Sequence, residues 1–373
     1  MPGERVYLLP LTADGRAAGP ARSLGNSGPG RSPVWTPDGK QILYTASDPG
    51  VTFGGGVLAV EPAHPSARRP LLALGRGVAV PAISPSGSVA YSTIGFDGNI
   101  WRQSLDHRGR AAHAATPVTL SSAINFNPQY SPDGQRIAFA STRSGDREIW
   151  TADLDGNHSL QLTKFNGGFI TGTPRWSPDG KQIAFDSAAG GNSAIYVIDA
   201  QGGVPRRLTD DRRHGVIPSW SHDGKWIYFA SASSGRNEIW RIPSVGGDLV
   251  QVTRNGGLVA FESPDGSSLY YTKTENNSTL FRSAIDGSGE VEVLRGVTSR
   301  GFVVTHDRIY YLTLAADGNT DIRQFVLSTH QDSLVVRTGK QSWLGLSLSP
   351  DGTSLLFSER KVRSSILLAE GVL

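Results

Sequence analysis

The sequence predicts an all-β fold, an eight-bladed β-propeller with four-stranded antiparallel blades. An aliphatic residue followed two positions later by an aromatic one recurs eight times at spacings of 40 to 48 residues, the length of one four-stranded blade. The composition, with 45 Gly, 22 Pro and one Met, is typical of turn-rich β proteins. Seven blades are the alternative count. The eight pairs are Ile42/Tyr44, Val89/Tyr91, Ile137/Phe139, Ile183/Phe185, Ile227/Phe229, Leu269/Tyr271, Ile309/Tyr311 and Leu355/Phe357.

A four-residue turn precedes six of the aromatic strands and has the pattern Ser-x-Asp-Gly, with Thr in place of Ser in the first unit. Asp can hydrogen-bond its own backbone and Gly accepts a positive φ, so the pattern predicts a hairpin cap between the first and second strands of a blade. The second unit weakens the pattern and the seventh shortens it. The six turns begin at Thr36, Ser131, Ser177, Ser221, Ser263 and Ser349.

The two ends of the chain predict how the ring closes. The last unit stops after a third strand, Ser365 to Leu368, while Arg5 to Pro10 and Arg22 to Leu24 resemble a third and a fourth strand without a first or second. We therefore expect residues 1–25 to complete the last blade, joining the N- and C-terminal segments and removing open sheet edges. Because eight blades of about 45 residues use nearly the whole chain, one domain over residues 1–373 is expected.

Composition argues against several classes of function. The net charge is +3, and Lys and Arg are scattered rather than clustered, so we expect no direct nucleic-acid binding by this chain. The absence of Cys excludes disulfides and Cys-ligated zinc. No segment approaches the roughly 18 apolar residues of a membrane span. The compartment stays open.

The run from Trp176 to Phe185 resembles the TolB-type propeller repeat, and the resemblance extends over residues 30 to 373. The run from Asn127 to Asp265 resembles more narrowly the C-terminal propeller of bacterial winged-helix transcriptional regulators. This resemblance implies a bacterial, non-catalytic module that senses or binds a ligand or protein. The helix-turn-helix that binds DNA in those regulators has no counterpart in this sequence.

Two other functions stay open: an extracytoplasmic TolB-like scaffold that docks a protein partner, and, less favoured, a propeller polysaccharide lyase or hydrolase. The sequence has no Gly-x-Ser-x-Gly elbow, His-Glu-x-x-His, P-loop or dinucleotide fingerprint. We therefore expect no enzyme activity and no cofactor. Of the eight histidines, His214 alone is placed in a connection that opens on the top face of the propeller, so no metal site is expected.

Polar residues in the top-face loops are the candidate ligand-binding residues. Their guanidinium groups could surround the mouth of the central channel and bind an anionic group of a protein or small ligand. The favoured alternative is that such loops form inter-blade ion pairs and solvated turns. Trp343 is added because it lies outside the repeated tryptophan positions. The candidates are Arg143, Arg147, Asn192, Arg212, Arg213, His214, Arg236 and Trp343.

Overall fold

The computed structural model consists of β-strands and turns, and the residues it describes contain no helix. These residues are 6–24, 30–47, 55–64, 67–72, 78–166, 170–210, 214–298 and 300–370. The chain divides into two compact units, Met1–Phe96 with Val362–Leu373, and Asp97–Lys361. The sequence predicts one domain over residues 1–373 instead.

The smaller unit contains a two-stranded sheet of β1 (Tyr7–Leu8) and β2 (Arg22–Ser23). A four-stranded antiparallel sheet follows, with buried Leu43 and Val57 in its core. Its strands pair in chain order: β3 (Gly30–Trp35), β4 (Ile42–Ser47), β5 (Gly55–Val60) and β6 (Arg68–Leu72). Next, β7 (Val78–Ile83) pairs with the first half of β8 (Val89–Ser104).

The larger unit begins in the second half of β8, which pairs with β9 (Thr116–Pro117). Five four-stranded antiparallel sheets follow, and their strands pair in chain order as the repeat predicts. The first two are β10 (Asn125–Tyr130), β11 (Arg136–Ser141), β12 (Glu148–Asp153), β13 (Leu160–Gln161), then β14 (Thr171–Trp176), β15 (Gln182–Ser187), β16 (Ala194–Asp199) and β17 (Arg206–Arg207). The next three are β18 (Gly215–Trp220), β19 (Trp226–Ser231), β20 (Glu238–Pro243), β21 (Val250–Gln251); β22 (Val259–Glu262), β23 (Ser268–Thr272), β24 (Ser278–Ala284), β25 (Val291–Val297); and β26 (Phe302–Val304), β27 (Arg308–Leu314), β28 (Thr320–Val326), β29 (Asp332–Arg337).

The last sheet combines distant parts of the chain. Its strands β30 (Gln341–Leu348) and β31 (Ser354–Ala369) are followed by β8 and β7, and β9 also pairs with β8. The amide N of Leu105 donates to the carbonyl O of Thr353 at 2.7 Å, and Trp101 Nε1 donates to Glu359 Oε2 at 2.6 Å. Residues 97–361 therefore contain a sixth sheet, which is formed by β30, β31, β8 and β9.

The prediction that residues 1–25 complete the last blade differs from this arrangement. In the described part of the chain, β31 pairs with β8, and β1 pairs with β2. The reason is that residues 89–104 form one continuous strand of 16 residues where the sequence predicts a hairpin. The two halves of β8 cannot pair with each other, so the half around Ile100 pairs with β31.

The first strands of the six sheets in residues 97–361 contact one another in a cycle. β10 contacts β14, and the contacts continue through β18, β22, β26 and β30, which in turn contacts β10. The predicted eight blades and the alternative of seven are not confirmed by these sheets. The first repeat instead supplies the sheet from β3 to β6 in the smaller unit.

The Ser-x-Asp-Gly turns form the predicted hairpin caps. Ser131 Oγ donates to Asp133 Oδ1 at 2.6 Å, and Asp133 Oδ1 also accepts the amide of Gln135 at 3.0 Å. Gly134 has a φ of 68°, which favours glycine. The Ser or Thr hydroxyl bonds the Asp in the same way in the five other turns, which begin at Thr36, Ser177, Ser221, Ser263 and Ser349.

A repeated Thr explains the Leu-Thr and Val-Thr pattern near the fourth strands. Thr163 Oγ1 accepts the amide of Ile149 at 2.9 Å, which satisfies a buried backbone donor on the neighbouring third strand. Thr119 and Ile100 make the same bond at 2.9 Å. The sheet assembled from β30, β31, β8 and β9 therefore has the internal bonding of the other sheets.

The turn caps predict a pH dependence of stability. Hydrogen bonds from the amide of Lys225 and the hydroxyl of Ser221 lower the pKa of Asp223 from 3.8 to about 2. Because the folded pKa is below the unfolded one, this contribution is present above about pH 4 and is lost as the pH falls towards 2. We expect Asp223→Asn to reduce the loss of the free energy of unfolding between pH 4 and 2 in urea titrations.

The matched control is Asp248→Asn, which removes an exposed turn carboxylate outside the Ser-x-Asp-Gly caps. It should keep the wild-type slope of stability against pH. An equal slope for wild type and Asp223→Asn would contradict the assignment.

Candidate functional site

The first strands of the six sheets end around a cavity of about 380 Å³. It lies on the side of the Ser-x-Asp-Gly turns, because Ser131, Ser221 and Ser263 belong to its wall. Every first strand contributes at least one residue: Gln129, Arg175, Ser219, Phe261, Val303 and Ser347. The cavity is thus on the side opposite to the loops that the sequence favours for binding.

A bulge repeated in three first strands determines part of the cavity wall. Asn127, Thr173 and Ile217 have φ values of 53°, 51° and 58°, and the strand register shifts beside each of them. Each precedes a proline, which has no amide to donate and is tolerated in a sheet at a bulge. The residues after these prolines line the cavity: Gln129, Arg175 and Ser219.

Arg175 places a positive charge in the wall of the cavity. Its side chain is 4% exposed, and its Cζ lies 5.0 Å from the centroid of the Phe261 ring. Its Nε has no hydrogen-bond partner. Burial, followed by the charge of Arg300, lowers the pKa of Arg175 to about 10, so the group stays protonated at neutral pH.

Aromatic rings form the apolar part of the wall. Phe261 and Phe302 pack edge to face, with ring centroids 4.9 Å apart, a favourable geometry for aromatic pairs. Trp220 Nε1 donates to the carbonyl O of Arg175 at 2.9 Å, which fixes the indole between two neighbouring sheets. Such a wall can accept an apolar side chain beside the Arg175 charge.

Glu262 forms part of the rim. Its Oε2 accepts the amide of His222 at 2.7 Å, and its Oε1 accepts the Tyr228 hydroxyl at 2.6 Å. Burial and the Glu262 carboxylate both raise the pKa of Tyr228. Glu262 is therefore hydrogen-bonded by neighbouring groups of the protein, whereas Nε of Arg175 has no hydrogen-bond partner.

Comparison with protein families identifies the repeat. The model of the TolB beta propeller domain matches residues 115–301, half of the chain. The chain belongs to the TolB β-propeller family. The TolB repeat predicted from the sequence is thereby confirmed, while a link to winged-helix transcriptional regulators is not shown.

Solved structures agree with the TolB propeller fold. TolB from Acinetobacter baumannii has a TM-score of 0.52 and 16% identity, over 85% of this chain and 80% of that chain. A chain of the nidogen/laminin complex has a TM-score of 0.53 and 12% identity, over 67% of this chain and 97% of that chain. At these identities the likeness shows the fold alone.

Arg143 is one of the candidate ligand-binding residues predicted from the sequence. Its guanidinium is hydrogen-bonded to other side chains of the protein. It donates to Ser141 Oγ at 3.1 Å, to Ser159 Oγ at 2.8 Å and to Asn125 Oδ1 at 3.1 Å. Its Cζ also lies 5.0 Å from the Trp150 ring. Burial lowers its pKa. These contacts lie within one sheet and involve uncharged acceptors, so they are not the inter-blade ion pairs of the favoured alternative.

The other predicted residues are spread over several loops. Arg147 lies over the Phe126 ring, at 5.4 Å from its centroid. Asn192 is exposed between β15 and β16, and His214 is exposed just before β18. None of the five candidates whose side chains the structure describes belongs to the cavity wall.

Arg236 is bound within its own sheet. Its Nε donates to Glu238 Oε1 at 2.6 Å, and Glu238 is 2% exposed. Trp343 lies inside strand β30 rather than in a connection, and its side chain is outside the described part. Arg212 and Arg213 also lie outside the described residues.

Sequence reasoning missed the cavity and Arg175. A signal was present: Arg175 follows a proline in the first strand, where the corresponding residues Gln129 and Ser219 are uncharged. A charge at one repeat of an otherwise uncharged position indicates a role specific to that blade. Its burial and lack of partner become visible only in the folded unit.

Two further expectations concern metals and membranes. Among the described residues, no group of three or more His, Cys, Asp or Glu side chains is arranged to hold a metal ion. The same residues include no helix with the length and apolar character needed to cross a membrane.

Removal of the Arg236 guanidinium tests its structural role. Arg236→Ala deprives the buried Glu238 carboxylate of one partner, while Thr253 Oγ1 and the amide of Gly256 still donate to it. Since Arg236 is largely exposed, solvent screens the pair, and we expect a loss of about 1 kcal/mol in the free energy of unfolding. Urea denaturation measures this loss.

The control is Lys225→Ala, whose partner Asp223 is exposed and whose Nζ to Oδ2 distance is 3.1 Å. It should change stability by only a few tenths of a kcal/mol. Equal losses in the free energy of unfolding would show that the Arg236 pair stabilises the protein no more than the exposed Lys225 pair does.

Proposed function

We propose that this member of the TolB family is a binding propeller that holds a segment of a partner protein in the cavity on its turn side. The observation that carries the proposal is the cavity itself, whose wall combines aromatic rings with a buried cation at the meeting point of six first strands. Apolar pockets with a few convergent polar groups are typical binding sites.

We also propose that residues 97–361 form a six-bladed ring closed by the pairing of β31 with β8. The cycle of contacts among the six first strands supports this count. A closed ring keeps the cavity wall rigid, because each first strand contacts the first strands of both neighbouring sheets. A rigid wall lowers the entropy that binding would otherwise lose.

The proposal agrees with the alternative function from the sequence, a TolB-like scaffold that docks a protein. The role as sensor of a transcriptional regulator stays a prediction, as does ligand binding by the loops around Arg143 and His214. The extensive bonding of Arg143 within its own sheet favours the cavity over these loops.

Blocking the cavity tests the proposed function. Val304 ends β26 and belongs to the cavity wall, so Val304→Trp should fill the cavity. Peptides selected from a phage-displayed library on the wild-type chain should bind Val304→Trp at least tenfold more weakly, as measured by isothermal titration calorimetry.

The matched control makes the same change at Val245, which is 83% exposed in a turn of the same unit. Val245→Trp should bind the selected peptides as the wild type does. If both variants kept full affinity, the peptides would bind elsewhere and the proposal would be wrong.

A further inference from the structure

We propose that Arg175 anchors a carboxylate of the bound segment, while the aromatic wall beside it holds an apolar side chain of the same segment. The inference rests on the proposed function and adds the chemistry of the partner. It assigns a role to a residue at which the sequence showed no motif.

The isolation of Arg175 is the first argument. A buried guanidinium loses its hydration, and this loss is ordinarily offset by a carboxylate or by several acceptors. Arg175 is 4% exposed and its Nε is unpartnered. Its guanidinium lies over the face of Phe261, which a cation contacts without a hydrogen bond.

The acidic groups around Arg175 do not fill this role. The charge of Asp186 raises the pKa of Arg175. In the described part of the chain, however, no ion pair joins the two side chains. Arg300 Nε instead donates to Glu275 Oε1 at 2.6 Å, and Glu262 on the rim is bound by His222 and Tyr228. An anion from outside is the missing partner.

Two buried carboxylates in the same unit have their partners built in. The carboxylate of Glu148 is buried and accepts the Thr163 hydroxyl and the amide of Phe165. Glu238 is similarly satisfied by Thr253, Gly256 and Arg236. By contrast with these carboxylates, Arg175 has an unpartnered Nε in the cavity wall, which points to a ligand.

The composition of the wall selects a carboxylate over a phosphate. Arg175 is the one Arg or Lys among the described residues of the wall, and Glu262 adds a negative group at the rim. One guanidinium balances a single carboxylate and can bind it through two parallel hydrogen bonds. A dianionic phosphate would keep an excess negative charge near Glu262.

Small probes separate the two parts of the inference. We would measure binding of N-acetyl-tryptophan, N-acetyl-tryptophanamide and N-acetyl-aspartyl-tryptophanamide to the full chain by saturation-transfer NMR. The two acids should bind at least tenfold more tightly than the neutral amide. The acid that binds more tightly shows whether the carboxylate of a chain terminus or that of an acidic side chain is preferred.

Arg175→Met keeps the apolar stem and removes the charge. This variant should lose the preference for acids while keeping the weak binding of N-acetyl-tryptophanamide. Its melting temperature without ligand should rise, because an unpaired buried charge has been removed. An arginine with a purely structural role would lower the melting temperature instead. Arg175→Gln serves the same test if the Met variant does not fold.

Equal binding of acids and amide to the wild type, or an unchanged preference for acids in Arg175→Met, would overturn the carboxylate anchor. The proposed function would survive that result if all three probes bound the wild type and lost affinity in Val304→Trp. Absence of binding by every probe would overturn the inference.

Discussion

The pairing of β31 with β8 is the contact on which the larger unit depends. Both strands have 16 residues and run without a turn, so neither can fold back on itself as the regular repeat does. Each instead pairs with the other along one edge, while β30 pairs with the other edge of β31, and β7 and β9 pair with the other edge of β8. Ile100 of β8 and Leu356 of β31 are both fully buried and share one hydrophobic cluster with Ile137 and Phe139. This burial brings β30 beside β10 and completes the cavity wall.

The geometry of the first strands has a local origin that the sequence encodes directly. A proline after Asn127, Thr173 or Ile217 removes one ladder donor, and the bulge at that point leaves a non-glycine residue with positive φ. Such strain is sustained only where the surrounding structure fixes it, and it is common at binding sites. In β14 the same bulge holds Arg175 in the cavity wall, where the protein supplies no carboxylate. Under the proposed function the ligand offsets this unpaired charge, whereas Glu238 is bonded by the protein itself.

Much of the fold could be predicted from the sequence because it repeats. The Ser-x-Asp-Gly turns, the four-stranded sheets and the TolB repeat all follow from local patterns that the structure keeps. The predicted blade count is not confirmed, because the strand that carries Val89 and Tyr91 continues through residue 104. Local propensity could not show this, because the decision depends on a partner strand more than 250 residues away. The cavity could not be predicted for a similar reason, because Arg175 becomes buried only in the folded unit. Among the predicted loop residues, Arg143 donates to Ser141, Ser159 and Asn125 within its own sheet.

The most direct test of this account is an engineered disulfide between β8 and β31. Leu105 follows β8 directly and Thr353 directly precedes β31, and the amide of Leu105 donates to the carbonyl of Thr353. Opposed residues of antiparallel strands have Cα atoms about 4.5 to 5.5 Å apart, within the range of a disulfide. The chain has no Cys, so Leu105→Cys with Thr353→Cys offers a single possible bridge. We expect quantitative intramolecular oxidation with no loss of fold, read by intact-mass spectrometry and circular dichroism. If both thiols stay reduced in the folded protein, β31 is not paired with β8 and the six-bladed unit is wrong.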